Sequence, residues 1–126
     1  MTYKSIYVLF SVIWAAGLAI GSLLPSGSAL AAEVEQFNFF GFGLHLIGYA
    51  IFGLVLVLTL KKYAVKNDFL YAIVIAAVYG LAMEGLQAFV PNRDPSIIDA
   101  VVNTVGAFIS ATIYQIKYGT KILAQR

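Results

Sequence analysis

Four long apolar runs constrain the fold of this chain more than any other feature. They cover residues 5–24, 40–60, 69–90 and 96–116, and each is close to the ~20 apolar residues with which an α-helix crosses a bilayer. Only 11% of the 126 residues are charged, whereas about a quarter are charged in a typical soluble domain. The sequence therefore predicts an all-α integral membrane protein, a four-helix bundle that forms a single domain over residues 1–126.

The first run has an alternative interpretation as a secretory signal peptide. Lys4 gives it a basic start, and residues 29–31 read Ala-Leu-Ala, a small-residue sequence of the kind that signal peptidase cleaves. Because the run is longer than the about 7–15 apolar residues of a signal core, we expect a retained transmembrane helix. Gly17 and Gly21 form a GxxxG pair in it, which either permits close helix contact or merely occurs in an apolar helix.

The basic residues predict how the bundle is oriented. Lys and Arg close to helix ends are retained on the cytoplasmic side of a membrane. Arg93 stands alone on one side of a four-pass arrangement, and the other side carries Lys4, Lys61, Lys62, Lys66, Lys117, Lys121 and Arg126. We therefore expect a multi-pass protein of the cell membrane with both termini inside. An interfacial loop over 29–38 and the turn that carries Arg93 would face outward.

Polar side chains are concentrated between residues 84 and 106 and around residue 45. Spacings of three and four residues put them on one face of each helix, and an ionisable side chain within a membrane is costly unless it is paired or faces a polar cavity. We expect these faces to converge on one outward pocket. Its candidate binding residues are His45, Tyr49, Glu84, Gln87, Arg93, Ser96, Asp99 and Asn103.

Several roles in this pocket stay open at the level of the sequence. Arg93 is the expected counter-ion of Glu84 or Asp99, and such a pair could serve a ligand or could only lock two helices around the turn. His45 could be a functional group or a hydrogen-bonded packing residue. Asp99 could be a residue at the start of the fourth helix, but Ser96 is a better N-cap than Asp99. Asp94 is expected to be a solvated turn residue.

The chemistry that these residues allow is limited. His45 and Glu84 are candidate general bases, but no nucleophile stands in a catalytic motif, so the sequence does not decide whether the protein is an enzyme. His45 and two carboxylates lack a recognisable metal-ligand spacing, and there is no cysteine, so we expect no metal and no cofactor. The net charge of +2 is too small and too dispersed for a nucleic-acid partner.

The polar motifs resemble those of the VanZ-like family of small membrane proteins. The pattern is His45-x-x-x-Tyr49, then Glu84-x-x-Gln87, followed by the positions Pro91, Arg93, Ser96, Asp99, Asn103 and Gly106. The resemblance implies a multi-pass membrane protein of the kind associated with tolerance to teicoplanin-type glycopeptides, which are antibiotics with a lipid tail. It implies no particular reaction.

Three functions agree with these observations. The first is binding of the polar head of an envelope lipid or lipid-tailed antibiotic, with Arg93 contacting a phosphate or carboxylate. The second is a small intramembrane enzyme that acts on a lipid-linked head group, with Arg93 stabilising the negative charge that develops. The third is a structural partner of another membrane protein or of a second copy, in which the polar residues only clamp helices together.

Overall fold

The structure, a computed structural model, describes residues 3–25 and 40–119. It contains the helices α1 (Tyr3–Leu23), α2 (Phe40–Lys62), α3 (Asp68–Gln87) and α4 (Ile97–Tyr114), and a π-helical segment, Gln115–Gly119, continues α4. By length and composition each of the four helices could cross a membrane. No β-strand occurs in the described ranges, so the prediction of an all-α protein is confirmed, with four helices long and apolar enough to span a membrane. The loop predicted over 29–38 lies outside the described residues.

The turn between α3 and α4 begins earlier than the third apolar run indicates. α3 ends at Gln87, although the run extends to residue 90, and the N–H of Val90 donates to the carbonyl of Gln87 at 2.9 Å. The cause is Pro91, because a proline disfavours helical conformation in the residue before it. Glu84 consequently lies in the last turn of α3. At the start of α4, Ser96 is the N-cap as predicted, and its Oγ accepts the N–H of Asp99 at 3.2 Å.

The helices run alternately in opposite directions, which gives the bundle two different ends. At the end that we call the basic end, Lys61 forms an ion pair with Asp68 at 3.4 Å, and Lys62 lies 4.8 Å from the ring centre of Tyr3. The opposite end, which we call the polar end, contains the C-terminus of α1, the start of α2 and the α3–α4 turn. The candidate site residues belong to the polar end.

Two glycines allow α2 and α4 to approach closely, and these helices make the most extensive contact in the bundle. A Cβ added at Gly106 would overlap the carbonyl oxygen of Leu46, and one added at Gly53 would lie 2.7 Å from the Cα of Ala107. Nothing lies within 4 Å of a Cβ added at Gly17 or Gly21, so the GxxxG pair of α1 makes no such contact with the described residues. The α2–α4 contact brings the two halves of the predicted pocket together.

Polar contacts attach α1 to the rest of the bundle. Ser22 is the one buried residue of α1, so apolar packing against the other helices holds it only weakly. The indole N–H of Trp14 donates to the carbonyl of Gly48 at 2.9 Å, and the hydroxyl of Tyr79 donates to the carbonyl of Ala15. Inside a membrane such interhelical hydrogen bonds contribute roughly 0.6–2 kcal/mol each.

Candidate functional site

Three titratable side chains from three helices meet at the polar end. His45 of α2, Glu84 of α3 and Asp99 of α4 each offer one ligand atom, and these atoms all lie within 4.8 Å of one another. The expectation that His45 joins Glu84 and Asp99 across most of the chain is therefore confirmed. We call the group of His45, Tyr49, Glu84, Asp99 and Asn103 the polar pocket.

Glu84 is buried at the floor of the polar pocket, with 3% of its surface exposed. Its Oε2 accepts the backbone N–H of Ser96 at 3.0 Å, so this oxygen fastens the start of α4 to the last turn of α3. Its Oε1 is also buried, and it has no hydrogen-bond partner in the part of the chain that the structure describes. One carboxylate oxygen thus serves the fold, and the other is left for a different partner.

His45 is oriented by an amide of α4. Its Nδ1 lies 2.9 Å from Oδ1 of Asn103, which is fully buried. An amide oxygen only accepts hydrogen bonds, so Nδ1 donates in this contact, and in a neutral ring the lone pair is then on Nε2. The contact with Asn103 thus orients the ring and leaves Nε2 as its second polar atom.

Gly80 makes room for this amide, and sequence reasoning did not identify it. A Cβ at Gly80 would lie 3.1 Å from the Cβ of Asn103 and 3.2 Å from Cε1 of Tyr49. Any larger side chain would displace one of these two residues. The available signal was the position of Gly80, which stands one helical turn before Glu84 on the same face of α3.

Tyr49 completes the polar pocket on α2, one helical turn after His45. It is 1% exposed, and its ring packs edge-on against Phe52 with the ring centres 6.2 Å apart. The hydroxyl of Tyr49 and Nδ2 of Asn103 are buried and, like Oε1 of Glu84, unpaired among the described residues. An unpaired buried polar group costs about 1–3 kcal/mol. Three in one group indicate a place for a polar partner that residues 3–25 and 40–119 do not supply.

Arg93 does not pair with either carboxylate of the polar pocket, so the prediction that it is their counter-ion is wrong. Its Nε–H donates to the carbonyl of Leu24 at 2.9 Å, and its Nη2 donates to the carbonyl of Gly21 at 3.4 Å. The physical reason is that the last carbonyls of a helix lack intrahelical donors and carry the negative end of its dipole. Arg93 therefore caps α1.

Gln87 and Ser96, the remaining predicted site residues, also bond to the protein backbone. Nε2 of Gln87 donates to the carbonyl of Ser22 at 3.1 Å, which fastens α3 to the end of α1. Ser96 caps α4 through its Oγ and donates its own N–H to Glu84. These residues and Arg93 build the walls around the pocket, and they hold its helices in register.

The polar pocket combines two acidic side chains, neither of which forms an ion pair with a Lys or Arg among the described residues. Two carboxylates and a histidine lie together, whereas the one Lys or Arg ion pair within residues 3–25 and 40–119 is that of Lys61 with Asp68 at the basic end. Like charges in a poorly solvated site repel each other strongly. The arrangement can accept hydrogen bonds from donor-rich ligands, hold a cation, or exchange protons.

Comparison with known proteins relates most of the chain to one protein family. A protein-family model described as VanZ/LLP1 matches residues 4–118, a range that includes every residue of the polar pocket. Searches of the curated proteins and of the solved structures found no significant match.

Proposed function

The chain belongs to the VanZ/LLP1 family, and we propose that this multi-pass membrane protein binds the polar head group of an amphiphile in its polar pocket. The amphiphile is an envelope lipid or a lipid-tailed glycopeptide of the teicoplanin type. In the proposed orientation both termini are inside the cell, the polar end faces outward, and the ligand enters from the outer leaflet. The apolar tail would lie along the outer faces of the helices.

The observation that carries this proposal is the set of three buried, unpaired polar atoms in the polar pocket. Oε1 of Glu84 accepts hydrogen bonds, Nδ2 of Asn103 donates them, and the hydroxyl of Tyr49 can do both. His45 and Asp99 are only half-buried, so the group is connected to the surface. A head group rich in hydroxyl, amide or ammonium donors matches the two carboxylates and would satisfy the unpaired atoms.

The surroundings of the polar pocket favour a ligand with an apolar tail. Phe89 and Ile97 flank the α3–α4 turn and are 85% and 82% exposed. Ile47 of α2 is also exposed, close along the chain to His45. Exposed apolar side chains occur along all four helices, so the tail of an amphiphile with its head group at the polar end would contact apolar surface.

A small intramembrane enzyme is the second candidate, and the position of a His45 ring nitrogen within 4.8 Å of oxygens of two carboxyl groups favours it. The Nδ1–Asn103 bond fixes the imidazole with a free Nε2, as in a positioned general base. Nε and Nη2 of Arg93 donate to carbonyls at the end of α1, so stabilisation of developing charge by Arg93 would have to come from its remaining N–H donors. Turnover of a lipid-linked head group by the purified protein separates this candidate from simple binding.

The variant Glu84→Gln tests the proposal through ligand affinity. The amide keeps an oxygen for the N–H of Ser96 but removes the negative charge from the pocket, and a hydrogen bond to a charged group contributes about 1.5–3 kcal/mol. We therefore expect binding of a lipid-tailed glycopeptide, or of an envelope lipid, to weaken roughly 10- to 100-fold. The measurement is a fluorescence titration of the protein in lipid nanodiscs.

Asp94→Asn is the matched control, because Asp94 is an exposed carboxylate in the same turn. It should bind like the wild type. Equal affinities of Glu84→Gln and wild type for both classes of amphiphile would contradict the proposal. The glycopeptide core without its tail, measured beside the intact molecule, shows how much of the affinity the tail supplies.

A further inference from the structure

We propose that the polar pocket holds a divalent metal ion, with His45, Glu84 and Asp99 as its protein ligands. The inference deepens the proposed function, since the same pocket would present the ion to the head group. The chemical class is a borderline divalent cation such as Zn²⁺ or Mn²⁺, because one imidazole and two carboxylates suit these ions.

The first argument for a metal site is the distances between the candidate ligand atoms. These atoms lie within 4.8 Å of one another, whereas two ligand atoms of a tetrahedral zinc ion, each about 2.0–2.2 Å from it, are roughly 3.3–3.6 Å apart. Side-chain rotations that move atoms by on the order of 1 Å bring all three to a common ion. The residues come from α2, α3 and α4, which explains why no ligand spacing is visible within a single segment of the sequence.

The state of the individual ligands carries the second step. Only 3% of the Glu84 surface is exposed, and its Oε1 has no hydrogen-bond partner among the described residues. Nδ1 of His45 lies 2.9 Å from Oδ1 of Asn103, so the ligand atom of a neutral ring would be Nε2. Metal-binding histidines typically make this second hydrogen bond to a carbonyl or carboxylate oxygen, which fixes the tautomer and the ring orientation. Asn103 thus acts as a positioning residue for the ion.

Charge balance carries the third step. The nearest expected counter-ion, Arg93, bonds to the carbonyls of Leu24 and Gly21 instead of the carboxylates. A buried carboxylate such as that of Glu84 is costly as an anion unless a positive charge compensates it. A divalent ion supplies that charge and leaves further coordination positions for oxygen atoms of a ligand, such as those of a phosphate or a sugar.

Metal titration of the purified protein tests the inference without any amphiphile. The full chain in detergent micelles is stripped with a chelator, and Zn²⁺ and Mn²⁺ are titrated by calorimetry while bound metal is counted by mass spectrometry. We expect one ion per chain. The variants His45→Ala, Glu84→Gln and Asp99→Asn should each weaken binding at least ~10-fold, since even outer-shell changes cost roughly 10- to 100-fold in affinity.

Asp68→Asn and Asp94→Asn are the controls, since they remove carboxylates away from the pocket and should bind metal like the wild type. Circular dichroism and size-exclusion profiles establish that each variant is folded. The inference is overturned if the wild type binds neither ion. It is also overturned if His45→Ala binds both ions with the same affinity as the wild type. A protein that binds amphiphile but no metal contradicts this inference alone, and one that binds metal but no amphiphile contradicts the proposed function alone.

Discussion

Replacing Gly106 by leucine is expected to separate α2 from α4 and to abolish ligand binding at the polar pocket. A Cβ at this position already overlaps the carbonyl oxygen of Leu46 and lies 3.1 Å from the backbone nitrogen of Ala50. These neighbours are backbone atoms, so no side-chain rotation can relieve the overlap. Overpacking against a rigid contact usually costs about 1–3 kcal/mol and occasionally more, and we expect this variant to reach about 3 kcal/mol or more.

The measurement is unfolding of the protein in mixed micelles by increasing fractions of sodium dodecyl sulfate, together with the amphiphile and zinc titrations. Gly17→Leu is the matched control, since nothing lies within 4 Å of its added Cβ. The control should unfold within about 0.5 kcal/mol of wild type. If Gly106→Leu retains wild-type stability and binding, the close α2–α4 contact is not what assembles the pocket.

Cysteine labelling of intact cells is expected to give an all-or-none result for the orientation of the bundle. Because the native chain has no cysteine, each single-cysteine variant reports one position without background. Glu33→Cys and Asp94→Cys should react with a membrane-impermeant maleimide. Lys62→Cys and Lys121→Cys should react only after the cells are permeabilised, since the basic residues are retained on the cytoplasmic side. The reverse labelling pattern would place the polar pocket on the inside and remove the outward entry route.

The sequence predicts the helices, and it predicts that the polar side chains of different helices meet. Both predictions follow from what each residue costs when it is exposed to lipid. A chain in a bilayer must satisfy its backbone groups internally, so an apolar run of sufficient length becomes a helix. The cost of exposing His45, Glu84 and Asp99 to lipid then selects packings in which these side chains face one another. Helix ends are less well predicted, and α3 ends before Pro91 at Gln87.

The partners of individual side chains could not be predicted, because they depend on competition between distant groups. Arg93 has carboxylates available in the sequence, but the free carbonyls at the end of α1 offer it acceptors of fixed geometry. The sequence also does not show which glycines lie at a close contact between helices. Gly17 and Gly106 are both glycines in apolar helices, and only the tertiary structure shows that Gly106, unlike Gly17, lies against the backbone of a neighbouring helix.

The central claim is that the unpaired oxygen of Glu84 serves a ligand and not the fold. The most direct test is the free energy of unfolding of Glu84→Gln relative to wild type, measured in micelles with a chelator present and no amphiphile. We predict an unchanged or increased stability, because the amide oxygen still accepts the N–H of Ser96 and a buried negative charge beside Asp99 is removed. A decrease of more than about 1.5 kcal/mol, the loss expected when a charged group's structural hydrogen bonds are broken, would show that Glu84 clamps the helices, and it would contradict the account.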